Sequence, residues 1–271
     1  MTVTPHILFI SIATNRYWDF IPPLHRSIRQ YWSATDIAVR FLVLTNRSDI
    51  TTIDPSVTVR QIRHHPWPGM TLYRYRAFLA HKELLTQAEW VVYVDADMLA
   101  VGDLGRHFLC TSFATLHPGY AIAPLGTQRP FERRSQSLAC IREPEPVAYF
   151  YGGVQGGSAA DFTAMCENLA TAIDADATAG IMACWHDESH FNAYRQKFPP
   201  ERVLSAAFAY PDRAEQISAW DLGHLSPVIL ALSKDHVLYR YGLFRQTLMR
   251  LRHFLSTLLI RWGLRRPRIQ K

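Results

Sequence analysis

The chain has 271 residues, 48% of them hydrophobic and 12% aromatic, enough for one large domain with a proper core and little room for a second. Its formal charge of +6 does not signal DNA or RNA binding. Eight of the 29 basic residues lie between Leu243 and Lys271, where there is no acid, which leaves 21 against 23 acidic residues in the body. The four cysteines, Cys110, Cys140, Cys166 and Cys184, form no C-x-x-C pair, which excludes a zinc knuckle or disulfide framework and points to a reducing cytosol.

Along the chain, Ile7 to Ala13 is a short apolar run with no basic residues ahead of it, and it reads as a first strand rather than a signal peptide. A helix follows Pro22-Pro23, with strands at Val39 to Leu44 and Val57 to Ile62. A helix is then predicted from about Leu72 to Leu85, and a strand from Trp90 to Val94. This alternation predicts an α/β domain, residues 1–242, with a largely parallel sheet that binds ligands beyond the carboxyl ends of its strands. More short strands follow Pro118-Gly119, then a loop rich in Arg, Glu and Pro from Arg129 to Pro146, then the run Gly152-Gly153-Val154-Gln155-Gly156-Gly157. Val154 stands where G-x-G-x-x-G needs glycine, so a dinucleotide fingerprint is not supported. The glycine pairs serve either close packing or room for a ligand, and Ser158 is a natural N-cap for a helix from Ala159 to Ile173. In the tail, residues 243–271, Phe244, Leu248, Leu251, Leu255, Leu258, Leu259 and Trp262 recur at helical spacing beside Arg245, Arg252, Arg261 and Arg265. That stripe suits an anionic membrane surface, with packing on the body or on a dimer partner as the alternatives. Its arginines interrupt it too often for a bilayer span.

Two segments carry the chemistry. The apolar strand Trp90 to Val94 runs into Asp95-Ala96-Asp97, and two carboxylates on one turn are natural ligands for a hard divalent cation whose remaining positions a diphosphate fills. Trp185-His186-Asp187-Glu188-Ser189-His190-Phe191-Asn192 packs adjacent carboxylates, two histidines and an indole into barely two helical turns, a density kept more often for chemistry than for packing. His186 and His190 at i and i+4 offer a rival reading as a zinc hydrolase. The glutamate of H-E-x-x-H is displaced by one position, however, and no clear third ligand follows.

Several motifs in order resemble glycosyltransferase family 6, the family of the histo-blood-group A and B transferases and the α1,3-galactosyltransferases. They are Asp95-Ala96-Asp97, Thr115 to Tyr120, Phe131-Glu132-Arg133-Arg134, Tyr149 to Gly153 with Gly156-Gly157-Ser158, Trp185 to Asn192, and Lys234-Asp235-His236 ahead of Arg240. The resemblance covers roughly Ile7 to Arg240. It implies a GT-A fold and a retaining transfer of N-acetylgalactosamine or galactose from a UDP-sugar to the 3-OH of a galactoside, fucosylated or not, in α linkage. By resemblance, Glu188 is the catalytic carboxylate opposite the leaving group. Ile12, Ala13, Thr14 and Tyr17 hold uridine, with Arg74, Ala96, Gly152, Gly153, Asp187, Lys234 and Arg240 completing the donor site. Asp95 and Asp97 carry Mn²⁺ or Mg²⁺, and His117, Tyr151, Trp185 and Glu188 meet the acceptor. Gly153 leaves room at the donor C2 substituent, which favours UDP-N-acetylgalactosamine over UDP-galactose. The chain is similar to the short bacterial members, which work in the cytoplasm, and the tail would hold it at the inner membrane face during surface-glycan synthesis. A non-catalytic sugar-nucleotide or glycan-binding module is the alternative from another class.

Overall fold

The computed structural model describes residues 5–50, 54–122, 128–142 and 148–234. The tail and Arg240 therefore lie outside the described residues. In chain order the first elements are β1 (His6–Ile12), α1 (Ile21–Gln30), β2 (Ala38–Thr45), β3 (Val57–Gln61), α2 (Gly69–Leu79), α3 (Lys82–Leu85), β4 (Trp90–Val94), β5 (Met98–Ala100) and β6 (Ser112–Leu116). β7 (Phe150–Ser158), α4 (Ala159–Thr178), α5 (His186–Lys197), β8 (Arg202–Leu204), β9 (Tyr210–Pro211), α6 (Ala214–Ala219) and β10 (Ile229–Ala231) follow.

Seven strands form the central sheet in the order β3-β2-β1-β4-β7-β6-β8. β1 to β4 pair in parallel, β7 runs antiparallel to both neighbours, and β8 is parallel to β6. This is a mixed α/β sheet of GT-A type, and both of its faces are covered. Side chains alternate along each strand. Ile7 and Phe9 of β1 pack with Ile21, Leu24 and Ile28 of α1, while Leu8 and Ile10 pack with Tyr75 and Phe78 of α2 and Phe162 of α4. Burial on two faces is why these strands read as unbroken apolar runs, and each such side chain contributes about 1.5–3 kcal/mol.

One predicted element divides in two. The apolar face Leu72, Tyr75, Phe78 has only His81 and Lys82 to continue it, so the helix stops at Leu79 and restarts after His81, which stands at φ −125°. The restarted turn carries Leu85 into the core. The helix after the glycine run lasts to Thr178, five residues beyond the predicted end, and Ser158 caps it by accepting the Asp161 N–H.

The strand order decides where a ligand can bind. β1 lies between β2 and β4, so connections leave β1 toward one side and reach β4 on the other, opening a crevice at the carboxyl ends of these two strands. Ile12 to Tyr17 and Asp95 to Asp97 follow those ends directly. A small second sheet, β5-β10-β9, seals the same edge. It brings the Leu232 N–H onto the Asp97 carbonyl at 2.8 Å and so delivers Lys234 to the carboxylates.

A bulge shapes the opposite wall. On β6, Ala114 pairs with Gln155 but the next residue, Thr115, pairs with Tyr151, so Gly152, Gly153 and Val154 drop out of that ladder, which leaves Gly152 beside Glu188 and Arg74. The second glycine pair serves packing. A Cβ on Gly157, which stands at φ +154°, would lie 2.2 Å from the Thr111 carbonyl oxygen.

Candidate active site

Arg74 is the hub of the crevice. It projects from α2, is 7% exposed, and donates to the Gly152 carbonyl at 2.8 Å from Nη1. The same nitrogen lies 3.1 Å from Asp187 Oδ2, Nη2 lies 3.5 Å from Asp95 Oδ1, and the guanidinium covers the Tyr93 ring at 4.5 Å. Burial works against its charge, but Asp187, Tyr93 and Asp95 outweigh that and keep it protonated. One cation thus holds two carboxylates from elements more than ninety residues apart in sequence.

Around the hub, the predicted donor residues gather at one edge. Ala13 closes the end of β1 by donating to Leu44 O at 2.8 Å, and Thr14 Oγ1 lies 3.0 Å from His64 Nδ1. Tyr17, on the following 3₁₀ turn, has Lys234 Nζ 5.9 Å from its ring centre. Partial desolvation disfavours the ammonium of Lys234, which is still exposed, yet Tyr17, Asp97 and Asp95 raise its proton affinity above the ordinary lysine value. Asp97 is pushed up to about 6, first by burial and then by the charge of Asp95. Among the described residues no third His, Cys, Asp or Glu joins these two aspartates as a cation ligand. Ala96, between them, is buried.

Glu188 stands on the first turn of α5 with both oxygens engaged. The Tyr149 hydroxyl donates to Oε1 at 2.8 Å and the Gly152 N–H to Oε2 at 2.9 Å. Burial raises its pKa to about 7 against these two donors. Asn192, one turn on, ties the helix to β7 by donating to the carbonyls of Phe150 and Glu188 and accepting the Phe150 N–H. Asp187 is 5% exposed, and burial raises its pKa too, with Arg74 opposing.

Gly153 has a packing role that the sequence does not show. A Cβ there would lie 2.4 Å from Asp95 Oδ2 and 2.5 Å from the Tyr151 ring. The place of a side chain is taken by Asp95 and Tyr151, so the glycine is what lets those two groups pack together.

The acceptor candidates form an aromatic group. His117 accepts the Gly119 N–H at Nδ1, 3.1 Å away, which places its proton on Nε2. Burial lowers its pKa to about 4, so the ring is a neutral donor at pH 7. Tyr120, Tyr149, Tyr151 and Trp220 surround it at ring separations of 5.2, 5.6, 5.8 and 6.2 Å. Trp185 is 40% exposed at the leading end of α5.

The two histidines of the rival zinc reading have separate duties. His186 is the first residue of α5 but stands at φ +53°, not a helical value, so the i and i+4 spacing does not carry its usual meaning there. Its ring meets Trp67 edge-on at 5.0 Å, whereas His190 Nε2 lies buried 3.4 Å from Asp176 Oδ2. Asp176 in turn accepts from Ser137 Oγ and the Leu138 N–H, which pins the preceding loop.

Tyr93, Tyr149 and Trp220 were not singled out as site residues in the sequence. A period-2 reading places Tyr93 on the face of Asp95, but nothing local distinguishes Tyr149 or Trp220 from core aromatics.

The model for glycosyltransferase family 6 matches residues 6–236. The chain is 36% identical over 163 residues to globoside alpha-1,3-N-acetylgalactosaminyltransferase 1 of Canis lupus familiaris, covering 57% of this chain and 45% of that protein. It is 31% identical over 156 residues to alpha-1,3-galactosyltransferase 2 of Homo sapiens, with 56% and 46% covered. With histo-blood group ABO system transferase 2 of Rattus norvegicus it shares 24% over 231 residues, with 83% and 68% covered. The chain spans about half the length of the first two of these relatives. With the sheet, the crevice at its switch point and a match from β1 to beyond β10, the chain belongs to glycosyltransferase family 6.

Proposed function

We propose that this chain is a retaining hexosyltransferase that moves N-acetylgalactosamine or galactose from a UDP-sugar to the 3-OH of a galactoside, forming an α linkage. The observation that carries this reading is the seat of Glu188. A carboxylate bonded by a phenol and a backbone N–H shares Gly152 with Arg74, whose guanidinium reaches Asp95 at the other wall. The donor C1–O bond breaks with its electron pair leaving on UDP, and the acceptor oxygen bonds to C1 on the face the phosphate vacates while its hydroxyl proton passes to the departing phosphate oxygen. Glu188, on the opposite face, stabilises the cationic sugar or bonds to it transiently; both routes use the same carboxylate. Asp187 grips donor hydroxyls, and Lys234 and Arg240 meet the diphosphate. The neutral His117 donates from Nε2 to the acceptor, with Trp185 as a stacking ring.

Asp95 and Asp97 suit a divalent cation, Mn²⁺ or Mg²⁺, because two carboxylates stand two residues apart at the end of β4, and burial first and the neighbouring Asp95 second make the charge of Asp97 costly without one. When bound, the ion would neutralise charge developing on the diphosphate. The donor preference for N-acetylgalactosamine rests on the small residue at Gly153 and on the name of the globoside relative. Cytoplasmic placement, attachment of residues 243–271 to an anionic membrane and a part in surface-glycan synthesis belong to the same proposal. Among the described residues no helix is long and apolar enough to cross a membrane.

The deciding assay follows UDP release from both donors, with Mn²⁺ or EDTA, with and without a galactoside acceptor. Acceptor-stimulated, Mn²⁺-dependent release is expected. Failure to bind either sugar nucleotide would overturn the reading, and binding without turnover would favour a non-catalytic module.

A further inference from the structure

Asp95 is held from three directions. Tyr93 precedes it by two residues on β4 and so points to the same face of the sheet. The Tyr93 ring is 2% exposed, and its hydroxyl donates to Asp95 Oδ1. Arg74 Nη2 approaches the same oxygen at 3.5 Å and caps the Tyr93 ring, so the phenol has no room to swing away. On the other side the Tyr151 hydroxyl reaches Oδ2 at 3.4 Å, and the absent side chain of Gly153 is what lets these two groups meet.

We propose that Tyr93 and Tyr151 are positioning residues that orient Asp95 as a single-oxygen ligand, presenting Oδ2 to a divalent cation while Oδ1 stays committed to Tyr93 and Arg74. The inference rests on the metal role proposed above for Asp95 and Asp97. A carboxylate has roughly four lone-pair sites. Oδ1 faces the phenol and the guanidinium, whereas among the described residues Oδ2 receives the long Tyr151 bond alone. Two-oxygen chelation by Asp95 would require breaking the bond from the buried Tyr93 ring. The fixed phenol also sets the carboxylate plane, so the cation meets an aligned ligand and does not have to order one. Removing an outer partner of this kind costs about 10- to 100-fold in metal affinity.

The test is a Mn²⁺ titration followed by electron paramagnetic resonance in the presence of UDP, on the full chain and its Tyr93→Phe and Tyr151→Phe variants. UDP affinity in EDTA is measured in parallel for the full chain and Tyr93→Phe. Mn²⁺ affinity is expected to fall about 10-fold or more in Tyr93→Phe, and less in Tyr151→Phe, whose bond is longer. Metal-free UDP affinity of Tyr93→Phe should be unchanged. Equal or tighter Mn²⁺ binding by Tyr93→Phe overturns the proposal while leaving the metal reading intact. Parallel loss of metal-free UDP binding reduces Tyr93 to a packing role and overturns it as well. If the unaltered chain binds no Mn²⁺ with UDP present, the metal role of the two aspartates falls, and this inference with it.

Discussion

The two walls of the crevice solve opposite electrostatic problems. On the donor wall Asp95, Asp97 and Asp187 crowd around one buried arginine and one lysine, and burial raises the proton affinity of both Asp97 and Asp187. On the acceptor wall His117 is neutral and enclosed by four aromatic rings. The first wall is short of positive charge and is completed by what binds to it; the second is already balanced and offers shape and one donated hydrogen bond. Glu188 lies where they meet, held by Tyr149 from the aromatic group and by Gly152 from the bulged strand.

The sharpest way to break this contrast is to remove the hub. Arg74→Met leaves Asp187 and Asp95 without their shared cation, and a loss of about 3–5 kcal/mol of stability is expected in urea unfolding at neutral pH. The loss should shrink on acidification, as the carboxylates protonate. An equal loss at both pH values would mean that Arg74 acts by packing alone.

Next in size is Glu188→Gln, expected to slow transfer on the order of 10²–10³-fold while UDP affinity by calorimetry holds. The unaltered enzyme should gain activity as pH rises through about 7, where Glu188 ionises. Its stability should move the other way. The folded pKa is raised from 4.5 to about 7, so this group's contribution is full below about 4.5 and is lost as pH climbs through 7. Glu188→Gln removes that part of the stability profile, and an unaltered profile would show that Glu188 is not the titrating group.

Gly153→Ala places a methyl 2.4 Å from Asp95 Oδ2 and should cost about 1–3 kcal/mol through strain, with metal-dependent donor binding weakened more than acceptor binding. The smallest effect is expected on the neutral wall. His117→Phe keeps the ring and loses the Nε2 donor, so the acceptor KM should rise about 10-fold with the donor KM unchanged. Because the pKa of His117 is already near 4, that ratio should stay flat between about pH 6 and 8. A ratio that varied there would mean the ring carries charge after all.

Much of the donor wall was legible because its chemistry is local. An apolar strand ending in two aspartates marks both the sheet edge and a candidate cation site, and Asp187-Glu188 announces itself by the improbability of adjacent carboxylates in a core. The acceptor wall was legible only where family motifs cover it. Trp220 comes from a short helix about a hundred residues after His117, and no periodicity links the two. The His186–His190 spacing misled for a related reason: helical spacing has meaning only where the backbone is helical, and His186 opens α5 at φ +53°.

What the sequence determined by itself is the set of elements and their exposed ends, since strand runs, caps and edge carboxylates depend on neighbours within a few residues. Ser158 capping α4 and the strand Trp90–Val94 running into Asp95 belong to that set. Tertiary structure decided the partners. Arg74 joins Asp187 to Asp95, Tyr149 takes Glu188, and Gly153 yields its space to Asp95 and Tyr151. The reason is physical: a buried charge is compensated by whichever group the packing of distant elements brings within a few ångströms, and low local dielectric makes that choice decisive.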